Sequence, residues 1–217
     1  MNRTRTIIIS MGLILCLAAC VRLPLPVIAD SNQVLFRDDF STNEVGWSLS
    51  QNDAGGTTLE DGFLRAYVTS PNTDEWTTPG LLFYDVRIDV DAVKVYGSDN
   101  NYFGAICRDQ GNGNYYSFLV SSDGYYGISK VKNGEHTLLS GTQMSRNDDI
   151  KQGTAGNHLS IICQGDKLTL AVNGILIQTV TDADYSSGDV GLIVGSASDP
   201  EVDIRFDNFI VTEPEQK

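Results

Sequence analysis

Beyond residue 33, hydrophobic and polar positions alternate with a period of two. In LLFYDVRIDVDAVKV (81–95), Leu82, Tyr84, Val86, Ile88 and Val90 fall on one face, and Phe83, Asp85, Arg87, Asp89 and Asp91 on the other. Such alternation predicts a strand with one buried and one wet face. VLFRDDF (34–40) reads as the first strand, and TTLEDGFLRAYVTS (57–70) as a hairpin closed by Asp61-Gly62. PNTDEWTTP (71–79) reads as a loop carrying Trp76. HLSIICQGDKLTLAVNGILIQTV (158–180) predicts three strands joined by Gly165-Asp166 and Asn173-Gly174. DADYSSGD (182–189) reads as a polar loop with one helical turn, before two last strands in DVGLIVGSA and EVDIRFDNFIVTE. Roughly a dozen strands and no long amphipathic helix predict an all-β, two-sheet antiparallel β-sandwich or jelly roll.

The stretch 101–131 predicts three consecutive antiparallel strands and holds most of the tyrosines. With GNGN (111–114) as the first turn, Phe103, Ala105, Cys107, Tyr116, Phe118 and Val120 share an apolar, core-facing side. The other side carries Tyr102, Gly104, Ile106, Arg108, Tyr115, Ser117 and Leu119. A tight turn at Asp123-Gly124 is expected to add Tyr126, Ile128 and Lys130 to it. Tyr102, Arg108, Tyr115, Tyr126 and Lys130 are therefore the candidate ligand-binding residues. Aromatic rings cover the C–H face of a pyranose, and Arg and Lys donate to its hydroxyls. Two other readings of the same side are cross-strand aromatic pairing on an exposed sheet, and a face covered by another segment.

The N-terminus is not expected to belong to this fold. Arg3 and Arg5 precede an apolar run from Ile7 to Ala19, short for a membrane-spanning helix, which needs about 20 residues. Residues 1–19 read as a signal peptide, with Leu17-Ala18-Ala19-Cys20 as a lipobox and Cys20 as the lipidated first mature residue. The alternatives are secretion after cleavage following Ala29 and, last, an uncleaved anchor. Residues 20–32, with Pro24 and Pro26, read as a linker to a domain at 33–214.

The net charge of −13 disfavours nucleic acid as a partner. Loss of Arg3 and Arg5 with the leader leaves 13 basic against 28 acidic residues. The membrane is reached only through the lipid on Cys20. Of four cysteines, Cys107 and Cys163 remain in the exported domain, where a disulfide is expected. Two buried free thiols are the alternative.

LFRDDFSTNEVGW, YFGAICRDQGNGNYYSFLVSSDGYYGI, and NHLSIICQGDKLTLAVNG followed by VGLIVGS and RFDNFIV together resemble the concanavalin A-like lectin/glucanase domains of exported bacterial proteins, particularly laminin G-like and glycoside hydrolase family 16-like modules. The resemblance spans about residues 33–212. It implies two antiparallel sheets in a jelly roll, with a concave face that binds glycans in many relatives. It also implies a structural calcium where the first and last strands meet, with Asp39 and Asp207 as candidate ligands. Asp207 has another reading, bonding backbone amides at a bulge, because the apolar phase changes between Phe206 and Phe209. No cofactor is otherwise required. The Glu-x-Asp-x-x-Glu strand of catalytic family 16 members is absent, and Asp85, Asp89 and Asp91 read as a solvated face shared with Arg87.

His136 and His158 are the only histidines, too few for a zinc centre without a cysteine cluster. No G-x-S-x-G elbow is present, and GNGN lacks the GK[ST] and helix of a phosphate loop. The expected function is non-catalytic, lectin-like binding of a glycan or cell-envelope polysaccharide. The alternatives are a laminin G-like structural or protein-interaction module and, third, a glycoside-active enzyme.

Overall fold

The structure, a computed structural model, describes residues 33–42 and 44–215; the expected leader, Cys20 and the linker lie outside the described residues. Among the described residues, sixteen strands follow one another. They begin with β1 (Val34–Asp38), β2 (Ser50–Asn52), β3 (Gly55–Glu60), β4 (Phe63–Val68), β5 (Asp74–Thr77) and β6 (Val86–Gly97). Next come β7 (Asn101–Asp109), β8 (Tyr115–Val120), β9 (Tyr125–Lys132), β10 (Glu135–Leu138) and β11 (Ser145–Arg146). Last are β12 (Asn157–Gln164), β13 (Lys167–Val172), β14 (Ile175–Thr181), β15 (Asp189–Ser196) and β16 (Val202–Thr212). The described residues contain no helix, so 182–188 is a loop without the expected turn, and β15 begins at Asp189.

The first sheet has nine strands in the order β14-β13-β12-β6-β16-β4-β3-β2, with β1 also paired to β16. The second has seven, β10-β9-β8-β7-β15-β5, with β11 paired to β9. All pairings are antiparallel, the arrangement expected for a sandwich. Asp61-Gly62 and Asn173-Gly174 close two-residue hairpins with φ of 53° and 78°, and 52° and 82°. These left-handed conformations suit Asn, Asp and Gly, so the turns fix the register of the strands they join.

The core lies between the sheets. Val86, Ile88 and Val90 of β6, Leu159 and Ile161 of β12, and Ile204 and Phe206 of β16 face Phe103, Ala105, Tyr116, Phe118 and Leu192 of the second sheet. Each such large side chain contributes about 1.5–3 kcal/mol by burial. Cys107 of β7 and Cys163 of β12 form the expected disulfide, with Cα atoms 7.0 Å apart, and it joins the two sheets.

Three local expectations need correction. β6 begins at Val86 rather than near Leu81, because the Phe83 N–H and C=O exchange hydrogen bonds with Gly188, both 2.9 Å. Phe83 is thereby buried while Leu82 and Tyr84 are exposed, the reverse of the strand parity. Trp76 stands on an edge strand, β5, rather than in a loop. The β8–β9 connection has an odd number of residues: Val120 pairs with Tyr126, and 121–125 lie between. The Ser121 N–H donates to the Tyr125 carbonyl at 2.8 Å, and the Tyr125 N–H donates to the Ser121 hydroxyl at 2.9 Å. Tyr126, Ile128 and Lys130 therefore share the inward side with Val120, Phe118 and Tyr116. Tyr125, Gly127, Ser129 and Val131 face outward.

Candidate functional site

The outer side of the second sheet carries its own apolar cluster of Ile106, Tyr115, Leu119, Val131 and Ile193. Trp76, cross-strand from Ile193, packs on Tyr115 with ring centroids 5.7 Å apart. Tyr102 and Met144 lean on the same cluster. Tyr115 is only 3% exposed, whereas Trp76 is 39% exposed, so Trp76 presents the accessible surface of the pair. Glycine makes this layering possible: a Cβ at Gly195 would meet the Tyr102 ring at 2.2 Å, and one at Gly127 would meet Leu138 at 2.9 Å and Met144 at 3.2 Å. The Tyr102 hydroxyl donates to the Asp74 carboxylate. Burial, reinforced by Asp74, raises the Tyr102 pKa, and burial raises that of Tyr115. Both phenols therefore stay neutral at physiological pH.

At one end this aromatic strip opens into a depression of about 380 Å³, lined by Asn100, Tyr102, Asp123, Tyr125, Gln143 and Met144 among others. That volume lies in the range of about 300–1,000 Å³ typical of small-molecule sites. Tyr125 is 37% exposed there. Two phenol rings, two carboxamides and a carboxylate offer apolar platforms together with donors and acceptors for hydroxyl groups.

Of the five candidate ligand residues, only Tyr102 and Tyr115 lie on this side. Arg108 is the extra residue of a β-bulge, where Asp189 pairs with Asp109 and Val190 with Cys107, and its φ is 56°. The bulge turns its side chain to the end of the sandwich, where it is 1% exposed. There Nη1 donates to the carbonyls of Gly165 (2.8 Å) and Tyr185 (2.7 Å), and Nη2 to Asp85 (3.1 Å). Lys130 points the other way and pairs with Asp182 at 2.5 Å and Asp184 at 2.6 Å, which raise its pKa. The Tyr126 ring packs against the main core. Sequence reasoning missed Trp76, Tyr125, Asn100 and Gln143; the loop length at Asp123-Gly124, miscounted by one residue, hid Tyr125.

Asp109 and Asp189 are cross-strand neighbours on this sheet, and burial raises the pKa of each. Both are engaged by loop backbone: Asp189 accepts from Gly80 N–H at 2.7 Å and Val190 N–H at 2.8 Å, and Asp109 from Gly111 N–H at 3.2 Å.

The two calcium candidates are each held by their own neighbours. Asp39 accepts the Ser41 N–H (3.1 Å) and hydroxyl (2.7 Å), and Asp207 accepts the Asn208 N–H at 2.7 Å. They line different depressions, and the described residues contain no group of three or more acidic, His or Cys side chains able to hold a metal. Asp207 does sit at a bulge, with Asn208 at φ 54°.

On the outer side of the first sheet, Asp89 stands between the Ser160 hydroxyl (2.5 Å) and His158 Nε2 (3.3 Å). A nucleophilic triad needs the histidine in the middle, so this order does not activate Ser160. The Asp89 pKa is lowered, because hydrogen bonds from Arg87 and Ser160 outweigh the opposing effect of burial.

No family model and no curated protein matches the chain. Solved structures do. Carbohydrate-binding module CBM66 from Bacillus subtilis superposes with a TM-score of 0.64 at 18% identity, over 77% of this chain and 96% of that one. A Bacillus subtilis protein of unknown function with a galectin-like fold gives 0.61 at 11% identity, over 85% and 98%. A GH43 protein from Bacillus licheniformis gives 0.59 at 14% identity, over 89% of this chain and 41% of that one. With these likenesses and its two antiparallel sheets, the chain has the concanavalin A-like, jelly-roll β-sandwich fold.

Proposed function

We propose that this chain is an exported, non-catalytic carbohydrate-binding domain whose glycan lies along the outer side of the second sheet. The observation that carries this reading is the depression beside Tyr102 and Tyr125, which continues the Trp76–Tyr115 strip. One sugar unit of the chain stacks on Trp76 and another on Tyr125, where Asn100, Asp123 and Gln143 bond its hydroxyls. Tyr102 and Tyr115 support these contacts; Arg108, Tyr126 and Lys130 are not among them. The likeness to a carbohydrate-binding module supports the reading. The leader ending in Leu17-Ala18-Ala19-Cys20 supports a lipid anchor on Cys20, with 20–32 as the tether to the cell surface or periplasmic membrane.

Affinity electrophoresis and calorimetry against a panel of neutral polysaccharides test it. Trp76→Ala and Tyr125→Ala are each expected to weaken binding at least tenfold, about 1.4 kcal/mol, in a protein that is still folded at the assay temperature. Absence of binding to every polysaccharide, or binding indifferent to both substitutions, rejects it.

A second reading, a protein-interaction module, draws on the exposed Leu82 and Tyr84 of the loop before β6. Capture of a protein partner that depends on Leu82 and Tyr84, without glycan binding, would establish it instead.

A further inference from the structure

The outer side of the first sheet is laced with ion pairs. Arg65 bridges Glu60 at 3.3 Å and Asp203 at 2.8 Å, and Arg87 grips Asp89 at 2.7 Å. Among the described residues, four cations have neither a carboxylate partner nor a side-chain hydrogen bond: Arg37, Lys151, Lys167 and Arg205. Lys151 and Arg205 line one depression of about 340 Å³. The Arg205 guanidinium carbon lies 5.6 Å from the centre of the Phe63 ring, which also lines this depression. Its Nε is out of contact with solvent and has no acceptor. A ligand cannot reach a donor closed to solvent, so the Nη groups, which have no partner, are the ones left to meet a ligand in this depression. In a chain of net charge −13, two unpaired cations at one place are conspicuous.

The rest of the lining limits what that ligand can be. Asp91 and Asp207 are cross-strand partners at the same depression. Asp91 is held by His158 Nδ1 at 2.7 Å and accepts from Asn208 Nδ2 at 2.9 Å. The two carboxylates offset the two cations, so a ligand with a single negative charge is tolerated and a phosphate dianion is repelled. Guanidinium matches the planar fork of a carboxylate. The remaining groups accept hydroxyl protons, and Phe63 offers a ring face.

We propose that this depression binds a carboxylate-bearing sugar, a uronic acid. Its carboxylate rests on Arg205 and Lys151, its hydroxyls bond Asp91, Asp207 and Asn208, and its C–H face meets Phe63. The site lies on the sheet opposite the Trp76–Tyr125 strip and does not depend on that strip binding a glycan.

Titration of the full chain with galacturonate and glucuronate, followed by amide NMR shifts, tests it, with galactose, glucose and inorganic phosphate as comparisons. Expected are saturable shifts around Arg205 and Lys151 for a uronate alone. The affinity should fall at least tenfold in Arg205→Met and in Lys151→Met, and stay unchanged in Trp76→Ala. Lys151 is exposed, so its substitution tests the site even if Arg205→Met perturbs folding. No saturable shift with either uronate, equal binding of phosphate, or uronate binding that survives Lys151→Met overturns the proposal. Uronate binding lost in Trp76→Ala and retained in Lys151→Met also overturns it and moves the acid sugar to the other sheet.

Discussion

Arg108→Met separates the role the sequence suggests for this arginine from the one its surroundings impose. Methionine keeps much of the side-chain length and removes the five N–H donors. In the folded protein the guanidinium gathers three segments: the β12–β13 turn at Gly165, the loop before β15 at Tyr185, and Asp85 ahead of β6. Hydrogen bonds from a charged donor contribute about 1.5–3 kcal/mol each, but burying the guanidinium offsets part of that. The Asp85 side chain is 46% exposed, so that arm is screened and the two carbonyl contacts dominate. Both carbonyls lose a partner on substitution. Two carbonyls left without a donor cost about 1–3 kcal/mol each, and removing the buried guanidinium returns part of its desolvation, so the expected loss is about 2–4 kcal/mol. For a domain of this size that lowers the melting temperature by roughly 4–16 °C. Calorimetric melting under oxidising conditions measures the loss. Binding of a neutral polysaccharide, assayed well below the new melting point, should stay within twofold of the parent. Unchanged melting together with lost glycan binding would refute the buried-clamp argument and return Arg108 to the ligand site.

Three further outcomes follow from the same geometry. Asp109 and Asp189 have raised pKa values, so the folded state holds protons more tightly than the unfolded state; their contribution is present below the unfolded carboxylate range and is lost as pH rises through the folded values. Asp109→Asn keeps an acceptor for Gly111 N–H while removing a buried charge, so it should raise the melting temperature at pH 7, the gain fading on acidification; a lower melting temperature at pH 7 would show that the charge itself is needed. Opening the Cys107–Cys163 bridge as a double Ala variant should cost up to about 4 kcal/mol, given its sequence separation of 56, read as a drop in the denaturation midpoint with a steeper slope, because the unbridged unfolded chain exposes more surface. A chelator should leave the melting temperature where it is, since Asp39 and Asp207 each accept from neighbouring backbone N–H groups; a chelator-dependent drop reversed by calcium would return them to a calcium site.

The fold was legible wherever alternation or turn chemistry was strong. Val86, Ile88 and Val90 declare the buried side of β6, Asp61-Gly62 and Asn173-Gly174 place two hairpins, and the shift from Phe206 to Phe209 announces the bulge in β16. The site was half legible. Tyr102 and Tyr115 follow from the pairing of β7 with β8. Beyond that, parity depends on an integer that composition does not reveal. One residue more or less in the β8–β9 connection exchanges Tyr125 for Tyr126 and carries Lys130 to the other side. Arg108 occupies a bulge position with left-handed backbone, and nothing in CRDQG marks which residue is the extra one. Trp76 lies in a four-residue edge strand, DEWT, whose polar composition imitates a loop.

The bridge between β7 and β12 has a mechanical consequence. The chain enters the domain through β1, at the first sheet, while the proposed glycan surface belongs to the second. A domain tethered at one end and holding a polymer at the other bears tension across the interface between its sheets. Side-chain packing alone would let the sheets peel apart under such a load. Cys107–Cys163 passes it through a covalent bond, and the next residue, Arg108, ties the same strand to Gly165 beside Cys163. Under the proposed tether and glycan, a pull on the ligand would thus pass through the backbone of β7 and β12 as well as through the core between them.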